Sequence, residues 1–450
     1  MRAKILQGIY ATSEPNEEID LYSGKLIMSW PNGSVEGDGT IKLEWSPEPR
    51  VHFHLVTNPE FRRVPPPSSN DDTLVLTSTN GKGTVSTFGE AFTGDPSKRI
   101  IEGQINQSFE VGNPAPVASI LFHVPNFPDF LGKQVDIGNG VSASRMEIES
   151  AKWHLNLDGI PNVDIHRQLS EQGGFAITHV GEVRRQDDEP IQYSEVEELM
   201  VNLHWYFSML RSERTGPILV AGIHEGETIW ERWESGITSP WLGRRSWLPR
   251  FPPVGKLPAD SDPTSVVFQY MCELVKDPTG PNSFEMIIDW YTQSVTNSNI
   301  ATRGILAQAG IELLAWLELV EDVGMSADGF GRLTAADQLR LLLSSASIPI
   351  DVPPSLPKLY ATTRKSSDGD EIDGPGAVTE IRNSMVHPKK KARFGDPIAM
   401  LEGSFLAARY LELSLLHRCG YAGRVMNRTN WSESASVPPW VKPETGVEDR

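Results

Sequence analysis

The chain has 450 residues, more than one ordinary hydrophobic core fills, so two domains or one domain with a large accessory part are expected. Its 59 acidic against 41 basic residues leave a net charge of -18, which excludes a protein whose whole surface grips nucleic acid or anionic membrane but allows a local basic patch. Cys272 and Cys419 show no metal or redox spacing, no apolar run suits a secretion signal, and no segment approaches about eighteen uninterrupted apolar residues. These features predict a cytoplasmic protein with no membrane contact, no cofactor and no metal, and they make the N-x-S/T triplets at Asn106, Asn427 and Asn430 irrelevant as glycosylation sites.

Residues 20 to about 185 alternate short β-type runs with Gly, Pro, Asn and Asp punctuation. The runs are Gly24 to Trp30, Gly39 to Ser46, Val51 to Val56, Asp72 to Ser78, Arg99 to Phe109, Val117 to Val124, Ala151 to Leu157 and Gly174 to Val183. Such spacing predicts an antiparallel sandwich or barrel-like β domain. His52 and His54 share one strand face, and His123 and His154 lie on other runs. No short spacing supplies a third and fourth metal ligand, so these read as ordinary surface or core histidines.

From Ser194 to Arg211 the apolar period lengthens to three and four, as an amphipathic helix requires, with Ser194 and Glu197 as its capping box. A β pair follows at Ile218 to Ile223 and Glu227 to Trp233. The connector after it interleaves Trp241 and Trp247 with Arg244, Arg245 and Arg250. Such aromatics either stack on single-stranded bases or pin a linker to its neighbour, and the second is the commoner use.

Beyond residue 262 the pattern is helical. Helices are predicted from Asp262 to about Lys276, Pro281 to about Thr296 and Ile300 to about Glu321, then a short one capped by Thr334 with Asp337. Residues 364 to 376 read as a polar, mobile Gly-rich loop, followed by a helix with Pro375 near its start. The last helix runs from Asp396-Pro397 to Gly420, apolar all round, which predicts a central place in a bundle or a shared place with a partner subunit.

Within the Pro375 helix, Arg382, Asn383, Ser384 and His387 precede Pro388 and the cations Lys389, Lys390, Lys391 and Arg393. A straight helix would hold Arg382 and His387 about 140° apart. Pro388 disfavours helical geometry at His387, so the imidazole can swing toward a groove that Arg382 also lines. Metal-free cleavage of RNA needs a base for the 2'-hydroxyl, an acid for the leaving oxygen and cationic donors around the phosphate. His387 suits the first or second task and Arg382 the third, while a second His387 from a dimer partner would complete the set. The bland reading of the same residues is a helix end with a solvated arginine and a histidine near the negative dipole end. The basic run, likewise, is either a backbone-binding patch or a solvated turn.

Arg382 to His387 resembles the R-x4–6-H signature of HEPN domains, and the segments Ala407 to Gly423 and Gln308 to Trp316 look like helices of the ApeA-like subgroup. The resemblance covers residues 262 to 430 and extends less specifically to the β-rich half. It implies a helical bundle acting as a metal-independent endoribonuclease in bacterial anti-phage defence, by abortive infection. Carried over by position, it makes Arg382 and His387 the catalytic pair, Asn383 their polar neighbour and Glu312 a candidate support residue.

The expected fold is α+β multidomain. An antiparallel β-rich sensing or regulatory domain takes residues 1–238, a Trp/Pro-rich connector 239–261, an all-α HEPN bundle 262–432 and a polar tail 433–450. The expected partners are RNA, tRNA included, a second copy or higher homo-oligomer, and a phage-derived trigger. One alternative is a non-catalytic scaffold, a dimerisation or nucleotide-binding module whose β domain recognises a protein or glycan. Another is a metal enzyme built on the N-terminal histidines.

Overall fold

The computed structural model describes residues 2–31, 33–57, 72–76, 80–92, 98–162, 164–250, 262–274, 281–364, 371–386, 395–430 and 435–442. Two compact units emerge. One holds Met1–His204 and Thr215–Arg244, and the other takes Trp205–Arg214, the stretch that starts at Arg245 and the described residues from Pro263 onward. The chain is thus an N-terminal antiparallel β region followed by a helical region.

In the first unit, β1 Ile19–Trp30, β2 Gly33–Glu44, β3 Arg50–Thr57, β4 Asp72–Leu76, β5 Gly81–Phe92 and β6 Arg99–Gly112 lie in the order β3-β2-β1-β4-β5-β6, and a β3–β6 pairing closes the ring. Every pairing in it is antiparallel. Alternation decides what faces in: Val51, Phe53 and Leu55 are buried with Leu26, Ile41 and Ile101, while His52 and His54 stand on the opposite face of β3. The ring is tight enough that a Cβ on Gly37 would sit 2.0 Å from the Val56 carbonyl oxygen, so only glycine fits there.

Strand β6 leaves the ring and pairs with an open sheet. Its strands are β7 Ser119–Pro125, β8 Lys133–Asp136, β9 Val141–Glu149, β10 Trp153–Gly159, β11 Ile177–Arg185, β12 Ile218–His224 and β13 Glu227–Glu234, in the order β13-β12-β7-β11-β10-β9-β8. Central β7 is buried along its whole length, which is why Ile120 to Val124 shows no apolar–polar alternation. The chain start lies against the far edge, where Ile5 N donates to Asp136 O (3.0 Å) and Asp136 N to Ala3 O (2.8 Å). Arg145 fixes it there. This buried guanidinium forms a fork onto Asp158 (2.8 and 2.6 Å) and donates to Lys4 O (2.9 Å), while Leu6 N donates to Asp158 (2.8 Å).

Two helices interrupt the strands, α1 Ile165–Gln172 and α2 Tyr193–Arg211. The latter starts one residue earlier than its sequence pattern implies. Glu195 accepts from Gln192 N (2.8 Å) at its start, and Glu197 instead accepts from Arg232 (2.6 Å), so the predicted Ser194–Glu197 box is replaced by a Gln192–Glu195 cap two residues earlier. From Trp205 on, α2 belongs to the helical unit, because Tyr206 packs on Phe268 and bonds Thr264 (2.6 Å).

That unit contains α3 Ser265–Leu274, α4 Pro281–Thr296, α5 Ile300–Trp316, α6 Ala327–Gly331, α7 Ala335–Ser345, α8 Pro357–Thr363, α9 Gly374–Val386 and α10 Pro397–Arg418. Helix α10 is central, packing on α4, α5, α7, α8 and α9, which is what its all-round apolar sequence requires. Asp396 caps it through Ile398 N (2.9 Å), and Gly420 stops it at φ +71. Its Glu402 reaches across to cap α8 at Leu359 N (2.7 Å). Beyond Trp316 the chain widens into a π-helical turn, Leu317–Asp322, where the sequence predicts a plain continuation. The helical stretch Ile300–Asp322 is long and apolar enough to cross a membrane, yet Ala307, Ile311, Leu314 and Ala315 are buried within the unit.

The connector tryptophans act as pins. Trp247 is buried, donates to Met209 O (2.8 Å) and stands edge-on to Tyr421, while in the first unit Trp241 N donates to Gly174 O (2.7 Å). His123 is a core residue whose ring accepts from Tyr10 N (3.1 Å). His52 and His54 lie beside Glu44 and Glu102, and His154 lies near Glu149. Among the described residues no group of His, Cys, Asp and Glu could hold a metal ion.

Candidate functional site

Helix α9 is held firmly at its start. Asp373 accepts from Gly376 N (2.9 Å) as an N-cap, and Gly374 N donates to Ile350 O (2.7 Å). Arg340 of α7 forks onto the same Asp373 carboxylate (2.6 and 2.9 Å). Burial alone would raise the Asp373 pKa, but the bonds from Arg340 and Gly376 outweigh it and hold the carboxyl below its ordinary range. Gly374 to Gly376 therefore form the first turn of the helix, and the loop predicted to reach residue 376 ends sooner. Residues 365–370 of that loop lie outside the described residues.

Small residues let α9 lie close to its neighbours. Ile381 is buried against Gly403 of α10, and Met385 lies beside Gly304 of α5. The next face of the last turn carries Arg382, half-buried, which donates to Asn383 Oδ1 (3.2 Å). Among the described residues Arg382 pairs with no carboxylate, so its remaining donors are available to an anion. The described residues of α9 end at Val386. His387, Lys389, Lys390, Lys391 and Arg393 themselves lie outside the described residues. Glu312, the candidate support residue, accepts from Gln308 Nε2 (2.8 Å) one turn back on α5 and pairs with no cation among the described residues.

A second constellation was not anticipated from the sequence. Glu412, deep in α10, accepts from Arg428 Nη2 (2.5 Å) and Nε (3.0 Å), from Arg409 Nη1 (2.7 Å) and from the Tyr291 hydroxyl (2.5 Å). Ser212, held at φ 63, hydrogen-bonds the same Tyr291 hydroxyl (2.8 Å) and accepts from Arg428 Nη2 (3.0 Å). Burial pushes the Glu412 carboxyl up, but the charges of Arg428 and Arg409 overcome this and keep it below the usual range. Burial also pushes the Tyr291 phenol up. With Glu412, Arg428 and Tyr291 all sealed from water, this is a structural joint with no room for a substrate. The signal in the sequence was a pair of opposite charges, Arg409 and Glu412, in the middle of a helix whose apolar residues run all round.

The first unit carries a polar groove of about 550 Å³. Tyr193 donates to Glu110 (2.6 Å) on its wall, Arg232 reaches Glu197 (2.6 Å), and Gln107, Ser108 and Ser194 add further hydrogen-bonding groups. Burial raises the Tyr193 phenol, with Glu110 adding to the effect.

Comparison with known proteins places these features in two matched stretches. Residues 277–437 match the model of the YopA C-terminal domain, and residues 112–244 match that of the YopA central domain. The first stretch carries α4 to α10 with Arg382, and the second carries β7 to β13 with α2. Over 434 residues the chain is 26% identical to the SPbeta prophage-derived uncharacterized protein YopA of Bacillus subtilis (strain 168), covering 94% of each chain. No solved structure matches.

Proposed function

We propose that the helical unit is a HEPN-type, metal-independent endoribonuclease that cuts RNA, with tRNA as a candidate substrate. Arg382 would clamp the scissile phosphate, and Asn383 would orient its guanidinium. His387 would take the 2'-hydroxyl proton or protonate the leaving 5'-oxygen, giving 2',3'-cyclic phosphate and 5'-hydroxyl ends. Since one histidine cannot do both jobs at once, a homodimer bringing two copies of the motif together is part of the proposal. Lys389, Lys390, Lys391 and Arg393 would hold the flanking backbone, an interaction that weakens steeply with salt.

The observation that supports the reading best is the state of Arg382. An arginine on a firmly capped helix that, among the described residues, bonds only the neighbouring asparagine keeps its cationic donors for a ligand. The matched relative is prophage-derived, and we propose a similar setting, a cytoplasmic nuclease released by a phage-derived trigger that the β-rich unit senses.

The test is cleavage of tRNA and unstructured RNA by the purified chain in excess chelator, in lysates of infected and uninfected cells. Wild type should cut and leave cyclic phosphate ends, and Arg382→Ala and His387→Ala should not. Equal cutting by the variants, or none by wild type in either lysate, overturns the reading. The polar groove on the first unit favours one alternative, a non-catalytic chain in which that unit binds a polar ligand and the helical unit is a scaffold. That alternative predicts no cleavage under any condition and specific loss of ligand binding in Arg232→Met.

A further inference from the structure

Helix α4 ends at Thr296, and two guanidinium groups converge on its last carbonyls. Arg303, from the first turn of α5, donates Nε to Ser294 O (3.0 Å), and Arg245 donates Nη1 to Val295 O (2.8 Å). A helix C-terminus carries about half a negative charge, which accounts for one such cation rather than two. Arg245 has a further, looser partner in Glu213 (3.5 Å), but that carboxylate is already held by Arg211 (2.8 Å). Arg303 has no carboxylate partner among the described residues and is half-buried over the ring of Phe405, 4.7 Å from its centroid.

Arg211, Arg409 and Arg428 are held by Glu213 and Glu412, and among the described residues Arg303 pairs with no carboxylate. Burial, reinforced by the charges of Arg245 and Arg428, pushes Arg303 down to about 10, the behaviour of a cation among cations. In a chain with net charge -18, a half-buried cationic excess of this kind is an unusual expenditure of folding free energy. Unused donors go with it: Nη2 of Arg245 and both terminal nitrogens of Arg303 bond no described protein group.

We infer that Arg303 and Arg245 together form an oxyanion site, built to take a phosphate group between two guanidinium forks fixed on the end of α4. Planar forks match the paired oxygens of a phosphate, and both side chains are already ordered by their carbonyl bonds, so little conformational freedom is lost on binding. Gly304, the next residue on α5 and about 100° round the helix from Arg303, faces Met385 of α9. A phosphate could come from a nucleic-acid backbone or from a free phosphorylated metabolite. The site requires neither dimerisation nor cleavage.

The test uses the full chain and sodium pyrophosphate, with ionic strength matched by sodium chloride, read by thermal unfolding and by titration calorimetry. Wild type should bind saturably, and its unfolding midpoint should rise by about 2–4 °C at a hundredfold excess over Kd. Arg303→Met and Arg245→Met should each weaken binding about tenfold or more. Should either variant fail to fold for want of its carbonyl bond, Arg303→Lys keeps the charge and should still weaken binding severalfold. Arg382→Ala should keep the saturable pyrophosphate binding that Arg303→Met and Arg245→Met weaken, while losing any cleavage, which separates failure of this site from failure of the nuclease reading. Competition between pyrophosphate and a 2'-O-methyl oligoribonucleotide assigns the site to nucleic-acid backbone, and pyrophosphate binding without oligonucleotide binding assigns it to a metabolite. No saturable binding by wild type, or undiminished binding by all three Arg303 and Arg245 variants, overturns the inference.

Discussion

Arg428 meets Glu412 through two nitrogens on one carboxylate oxygen, at 2.5 and 3.0 Å, and neither side chain reaches water. The pair ties the segment that follows α10 to α10 itself, and through Tyr291 and Ser212 to α4 and the end of α2. Removing either member takes the main partner from a buried charge, Glu412 keeping Arg409 alone, which costs about 3–5 kcal/mol. Glu412→Ala and Arg428→Ala should therefore each lower the urea midpoint sharply. Glu412→Leu with Arg428→Met should recover most of the loss, and a double variant no better than the singles would show that the network is worth more than its charges.

His123 gives the fold an acid sensitivity. Burial pushes its imidazole down to about 4, so between about pH 6.5 and 4 the unfolded chain binds a proton that the folded chain refuses. Stability from this group is complete above pH 6.5 and falls as pH drops toward 4, by about 3 kcal/mol in all. Burial lowers His179 too, which steepens the same limb. Urea midpoints measured from pH 7 to pH 4.5 should fall, and His123→Gln should flatten the slope even if it lowers the midpoint at pH 7.

The close approach of α9 and α10 depends on Gly403. A Cβ there would sit 2.2 Å from Ile381 Cδ1, and the buried Ile381 has little freedom to withdraw. Gly403→Ala should cost about 1–3 kcal/mol despite the better helix propensity of alanine. Ile381→Val removes the clashing methyl, so the double variant should be more stable than Gly403→Ala alone, as read by thermal unfolding.

Asp373 orders the start of the helix that carries Arg382. Asp373→Ala removes an N-cap worth about 1 kcal/mol, while Asp373→Asn keeps the cap and loses the charge paired with Arg340. Hydrogen exchange at the first turn of α9 should accelerate more in the alanine variant. Under the nuclease reading, cleavage should fall in the same order.

Much of this was legible in residue patterns. Strands β1, β3, β6, β7 and β11 follow from alternation or apolar runs, and α4, α7 and α10 from caps such as Thr334, which accepts from Asp337 N (3.2 Å), and Asp396. Strand β5 was not legible, since Gly81 to Ser86 offers a single large apolar side chain, Val85, and gains its place from the pairing with β4 and β6. Helix α1 likewise rests on Ile165 and Leu169 alone. Ring closure by β3 and β6 joins segments far apart in the chain, a relation that no local pattern encodes. At the candidate site, the helix that carries Arg382, with Pro375 near its start, was legible, whereas Arg245 and Arg303 became visible only once α4 supplied the carbonyls on which they meet.

The fork between Arg145 and Asp158 has a consequence beyond the energy of the pair. With β3 paired to β6, the strand order of the described residues ends at β8, a strand of four residues, and the chain start covers its outer side through Ala3 and Ile5. Lys4 and Leu6 are held in that position by Arg145 and Asp158. The ion pair thus works as a latch over an edge that would otherwise template another chain. Cutting it should show first as self-association of the folded protein, before any large fall in its unfolding midpoint.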